Sequence, residues 1–190
     1  MVDFILNSWQ FPLQYMGKWH FLAAAAHPKS QALEIFTVMD NAQFTVREST
    51  ETEKLEFTAS IRVKDGSCVP RSWIYLLNES SNELRTEGHP DRLTKLYACR
   101  CPNCIILKEI DDSTDRLLLY SRSQQLEEGC MDEFKHKSDC KGYKDILWIP
   151  QTLELSYVTM FFNPTYQGFH PHHSVDFMSN GQLNKQDPAT

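Results

Sequence analysis

The chain has 190 residues, 41% of them hydrophobic, and a net charge of −6. That is enough for one domain with a real core, or one domain and a tail. The acidic balance argues against a nucleic-acid binder, which needs a basic face. No run of roughly 18 apolar residues is present to span a membrane.

The N-terminal stretch MVDFILNSWQF carries Asp3 where a signal peptide would be positive, and Asn7 and Ser8 break its apolar run. Residues 1–16 therefore read as a lead-in without a recognisable signal peptide. Strand-like runs follow at GKWHFLAAA (17–25), AQFTVRE (42–48) and LEFTASIRVK (55–64). The third is the clearest: Leu55, Phe57, Ala59, Ile61 and Val63 alternate with polar residues, the period of a half-buried strand, and Asp65-Gly66 is a turn signal. Further runs are RSWIYLL (71–77), NELRTE (82–87), LTKLYAC (93–99), CIILKE (104–109) and RLLLYSR (116–122). QLEEGCMDEFKHKSD (125–139) reads as a helix, acidic early and basic late, with Cys130, Met131 and Phe134 near one face. One more strand, DILWI (145–149), ends at Pro150. Periodicity is lost after about Ser156, and residues 151–190 read as a disordered tail. The order predicts an all-β domain over 17–150: eight antiparallel strands in an up-and-down barrel, one C-terminal helix and a trailing strand. A sandwich has the same spacing.

Strand phase gathers a group of polar and aromatic side chains. Arg71, Trp73 and Tyr75 share one face, as do Ile105, Leu107 and Glu109, and as do Arg116, Leu118, Tyr120 and Arg122. Turned inward, these faces place arginines, a carboxylate and aromatics inside a barrel, where charges need partners. Planar guanidinium forks suit a phosphate. Turned outward, the same charges are simply solvated, and periodicity does not choose.

Gly17-Lys18-Trp19 opens the first strand and matches the G-x-W signature of lipocalins, in which the Trp is structural. In order, IRVKDGSCVPRSWIYLL, LRTEGHPD, CPNCIILKE, RLLLYSRS and GCMDEFKHKSDC closely resemble the apolipoprotein M family of lipocalins, over roughly residues 17 to 150. The resemblance implies a secreted carrier that binds sphingosine 1-phosphate and related lipids in its barrel and travels on lipoprotein particles, chiefly high-density ones. Fatty acids and retinoids also suit an apolar barrel. It implies a carrier and not an enzyme, and no cofactor or metal is expected. It also implies ligand contacts at Arg71, Trp73, Tyr75, Glu109, Arg116 and Tyr120, with Arg71 and Arg116 on phosphate and Glu109 on the ligand's ammonium. His89 stands where the family pattern has an arginine, and a neutral histidine is a poorer phosphate partner. Arg92 is a substitute for that missing charge. The family's retained signal peptide is not recognisable at this N-terminus.

Six cysteines suit an oxidising compartment. Three lie in CRCPNC, Cys99 to Cys104, a spacing open to a zinc knuckle, a redox pair or a disulfide frame. Zinc would draw its fourth ligand from Cys130 or His136, but no second ligand pair is legible. Redox use needs a thiol at a helix N-terminus, whereas this one opens a strand. The resemblance implies a Cys101–Cys130 bond. Cys68 and Cys140 match family half-cystines whose partners lie in segments not recognisable here, and Cys99 and Cys104 are additions. The pairing of these four stays open. Two other functions compete with a carrier: a lipocalin-type isomerase with a cysteine nucleophile, and a metal-binding module on the Cys99–Cys104 cluster. Asn78-Glu79-Ser80 is a glycosylation sequon, and the run His170 to His173 is a weak metal-binding pattern.

Overall fold

The computed structural model describes residues 13–77, 81–101 and 103–151. The lead-in up to residue 12, the Asn78 sequon and the tail from residue 152 with its histidine run lie outside the described residues.

Eight strands follow in meander order: β1 (Gly17–Ala26), β2 (Met39–Glu48), β3 (Lys54–Val63), β4 (Cys68–Leu77), β5 (Glu83–Thr86), β6 (His89–Ala98), β7 (Cys104–Ile110) and β8 (Asp115–Ser121). Helix α1 (Glu128–Cys140) and a short strand β9 (Asp145–Trp148) complete them. From β1 to β8 each strand pairs antiparallel with the next, β9 adds to β1, and β1 also pairs with β8. That double pairing closes the sheet into a barrel and removes its edges. β2, β4 and β6 begin earlier than the sequence pattern suggests. β4 and β6 take in Pro70 and Pro90, residues that cannot donate to a ladder and so read as strand breakers.

β1 explains its own alanine run. A register shift between Phe21 and Ala23 frees its second half to pair with β8 on one side and β9 on the other. Ala23, Ala24, Ala25 and Ala26 are all fully buried. Outside the barrel, Ala23 and Ala25 join Leu22, Ile106, Leu117 and Leu119 in a layer against Phe134 of the helix. Small side chains let β9 and the helix approach a strand covered on both faces.

The helix buries Cys130, Phe134 and Ser138, four residues apart each time, so one stripe faces the barrel. Met131, expected on that stripe, is only half-buried. At the far end Gly142, at φ +80°, closes the helix. The Tyr143 amide donates to the Ser138 carbonyl at 2.9 Å and the Gly142 amide to Asp139 at 3.0 Å, the pattern of a glycine-terminated helix. At the near end no side chain caps the helix. A disulfide from Cys130 to Cys101 holds that first turn, and a second joins Cys99 to Cys104 across the β6–β7 connection. Between them the Glu133 carboxylate accepts from the Arg100 amide, with both oxygens at 3.0 Å.

Candidate functional site: a lined lumen with a charged mouth

At the lower end of the barrel, Gly17 takes φ +90°, and a Cβ there would meet the Arg122 Nη1 atom at 3.3 Å. At that φ any other residue would be strained, and the Arg122 tip would have to give way. The Arg122 guanidinium lies 3.7 Å from the centre of the Trp19 ring and donates to the Lys18 and Gln14 carbonyls at 2.8 and 3.0 Å. Trp19 is buried and its Nε1 donates to the Tyr15 carbonyl at 2.7 Å. Tyr15 belongs to a short 3-10 turn, Leu13–Tyr15, and burial pushes its phenol up to about 12. This group forms the floor.

Above the floor lies a chamber of about 390 Å³, its open side included. Leu55, Leu84, Leu96, Ile105 and Leu107 line it together with Trp19, Phe44 and Phe57. Among the described residues no formally charged side chain takes part.

The charges lie nearer the mouth. Arg116 on β8 and Glu109 on β7 face each other in register and are each 2% exposed. Arg116 Nε and Nη2 donate to one Glu109 oxygen at 2.8 and 2.7 Å. Arg116 Nη1 donates to the Ala32 carbonyl at 2.9 Å, and its guanidinium covers the Phe36 ring at 4.5 Å. Ala32 and Phe36 belong to a second 3-10 segment, Gln31–Phe36, which follows β1. Burial raises the Tyr75 and Tyr120 phenols well above their ordinary range, and the nearby Glu109 charge adds to it.

Strand phase therefore turns inward where periodicity alone could not decide. Tyr75, Glu109, Arg116 and Tyr120 are all buried. Trp73 is half-buried, stacked on Phe57 at 5.8 Å. Arg71 is half-buried and donates to its neighbour Pro70 at 2.8 Å. Arg122 departs from the group: β8 ends at Ser121, and the residue beyond it turns under the floor. His89 is half-buried at the first position of β6, opposite Thr86. Arg92 is bound to Asp111, with Nε and Nη2 each 2.9 Å from one carboxylate oxygen. The apolar lining was visible as phase in LEFTASIRVK and AQFTVRE, but Leu84 sits in a four-residue strand too short to show a period. Tyr15 and the Gln31–Phe36 segment carry no periodic signal at all.

Cys99, Cys101, Cys104 and Cys130 are all in disulfides, so CRCPNC is a disulfide frame and no thiolate is left there to bind metal or exchange. Cys68 and Cys140 are free and exposed, not paired with each other, and neither faces the lumen as an isomerase nucleophile would.

A closed eight-stranded barrel with a following helix and an apolar chamber has the lipocalin fold. The solved structures of siderocalin Ex-FABP and siderocalin Q83 share this fold, with TM-scores of 0.60 and 0.59. Each covers 73% of this chain, and the matches span 95% and 90% of the siderocalins, at 16% and 15% identity. Residues 4–159 match the ApoM domain, and the chain belongs to that family. It is 40% identical over 145 residues to apolipoprotein M of Rattus norvegicus, covering 75% of this chain and 76% of the rat protein. It is 38% identical over 151 residues to apolipoprotein M of Mus musculus, covering 78% and 79%. The family is one of lipocalin carriers, not enzymes.

Proposed function

We propose that the protein is an extracellular carrier for a single-chain lipid with a phosphate and an amine in its head group, of the sphingosine 1-phosphate kind. The observation that carries this reading is the Arg116–Glu109 pair, buried inside the lumen and not on its rim. A zwitterionic head can exchange with such a pair without stranding a charge. Its phosphate takes the Arg116 guanidinium, helped by Arg71, and its ammonium takes Glu109. Trp73, Tyr75 and Tyr120 pack around the head, and His89 stands nearer the rim. The hydrocarbon chain enters the chamber, where burial contributes about 0.8 kcal/mol per CH₂ before association costs. A fatty acid or retinoid would gain the same apolar burial but would leave Glu109 competing with it for Arg116.

Two disulfides and the family relationship support an oxidising, extracellular setting. The relatives' name extends the proposal to carriage on lipoprotein particles, and the sequence resemblance extends it to high-density ones. Titration of Trp fluorescence with sphingosine 1-phosphate tests the head-group assignment. An Arg71→Ala, Arg116→Ala double variant should bind at least roughly tenfold more weakly. Adding Glu109→Gln removes the orphaned carboxylate as an explanation. Equal affinity in wild type and variants would count against the assignment.

A further inference from the structure

Thr94 on β6 is a buried polar residue that the barrel does not use. It lies two residues from Leu96, which lines the chamber, and it pairs in register with Leu84 of β5 on one side and Glu109 of β7 on the other. Residues directly opposite in a ladder share a face, so its side chain stands in the lumen wall beside the Glu109 carboxylate. It is 0% exposed, yet its hydroxyl makes no hydrogen bond to any described residue. Burial dominates the raised Tyr75 phenol and Thr94 only tempers it: the two hydroxyls are near each other without the geometry of a hydrogen bond.

A buried hydroxyl without a partner is costly, and proteins seldom keep one. Valine has the branched shape of threonine without the hydroxyl, so packing alone does not account for the residue. The carboxylate beside it has capacity to spare. Arg116 Nε and Nη2 both donate to one Glu109 oxygen, Oε2, so Oε1 can accept a further donor. An ammonium answers only the carboxylate. A hydroxyl on the carbon next to the amine answers Thr94 as well, and opposed side chains about 5 Å apart at Cβ are within reach of such a pair. Chamber leucines lie opposite Thr94 and two residues on, so the hydroxyl it meets is on the chain side of the amine.

We infer that Thr94 is a specificity-determining residue of the lumen: it selects a lipid that carries a hydroxyl on the carbon between its amine-bearing carbon and its chain. This rests on the reading of Glu109 as the ammonium partner. Thr94 is closed over while Arg116 holds Glu109, so the contact forms once the head group has parted that pair.

The test uses sphinganine 1-phosphate and its 3-deoxy counterpart, which keeps the phosphate, amine and chain and lacks only the hydroxyl. Affinities are read by Trp quenching in wild type, Thr94→Val and Thr94→Ser. The readout is the ratio between the two lipids in each protein, compared across proteins. That comparison cancels any general weakening of the site by a substitution and any difference between the lipids in water. Wild type should prefer the hydroxylated lipid by about tenfold, the upper worth of one neutral hydrogen bond. The ratio should fall to about one in the valine variant and largely return in the serine variant, which keeps a hydroxyl. Urea midpoints check the orphan hydroxyl itself: the valine variant should be no less stable than wild type, and a clear loss of stability overturns the assignment. An unchanged ratio in the valine variant also overturns it, even where both lipids bind more weakly, because Thr94 then meets the ammonium or only supports the wall. A wild type that binds the two lipids equally well does the same, and leaves the head-group reading standing. If a folded wild type binds neither lipid, or Glu109→Gln changes neither affinity, the head-group reading fails and the role of Thr94 falls with it.

Discussion

Two arginines six residues apart in one run of the chain sit at opposite ends of the lumen and are neutralised differently. Arg116, near the mouth, is 2% exposed and meets a full carboxylate. Arg122, under the floor, keeps a share of solvent and meets two backbone carbonyls and the Trp19 face. The difference teaches what each can do. Carbonyls and an aromatic face cannot leave, so Arg122 is a fixed part of the floor. A carboxylate can be exchanged for another anion, so Arg116 can change partners. The sharpest way to break the comparison is to remove the carboxylate. Glu109→Ala should destabilise by about 3–5 kcal/mol, because it leaves a buried cation without its carboxylate. Glu109→Leu with Arg116→Met should recover most of that loss, since an apolar pair has no charge to strand. Chemical denaturation of the three proteins measures both. Failure of the double variant to recover would mean that the Arg116 contacts to Ala32 and Phe36 matter more than its charge.

The next effect lies outside the lumen. The Cys101–Cys130 bond spans 29 residues and the Cys99–Cys104 bond only 5. Chain-entropy arguments give about 3.5 kcal/mol for the first and about 2 kcal/mol for the second. Paired alanine variants compared by urea midpoint should rank in that order. The larger loss should come with faster amide exchange at the start of α1, where the disulfide stands in for a side-chain cap. Neither variant should weaken binding to the mouth pair, which both disulfides leave untouched.

Much of this was legible in the chain because barrels obey a period of two. LEFTASIRVK shows its inward face directly, and the same period put Arg71, Trp73 and Tyr75 on one face and Glu109 with Ile105 and Leu107 on another. Periodicity is silent about which face is inside when the residues are charged. The resemblance to a lipid-carrier family resolved that, and burial of Glu109 and Arg116 agrees with it. Pairing between those two was not legible, because in-register contact across β7 and β8 depends on the turn at Asp111–Thr114, which no pattern fixes. The Cys99–Cys104 bond was equally hidden: spacing left metal, redox and disulfide open, and only the closed β6–β7 turn brings those two sulfurs together. Arg122 misled for a simpler reason. Its phase continues that of β8, but the strand ends one residue before it.

That misplaced arginine supplies the smallest effect. Arg122→Ala removes a cation over the Trp19 ring and two donors to backbone carbonyls, at a partly solvated position. Together these are worth about 1–2 kcal/mol. The loss should be local, because the Gln14 and Lys18 carbonyls bracket the turn that carries Tyr15 onto the floor. Faster amide exchange at residues 14–19, with little change at β7 and β8, is the expected pattern. Arg122→Lys keeps the charge but lacks the flat face and the fork, so it should recover only part of the stability. Full recovery by lysine would show that charge alone, and not stacking, holds the floor. The two arginines would then differ only in burial, and the exchangeability argued for Arg116 would have to rest on its depth instead of on its partner.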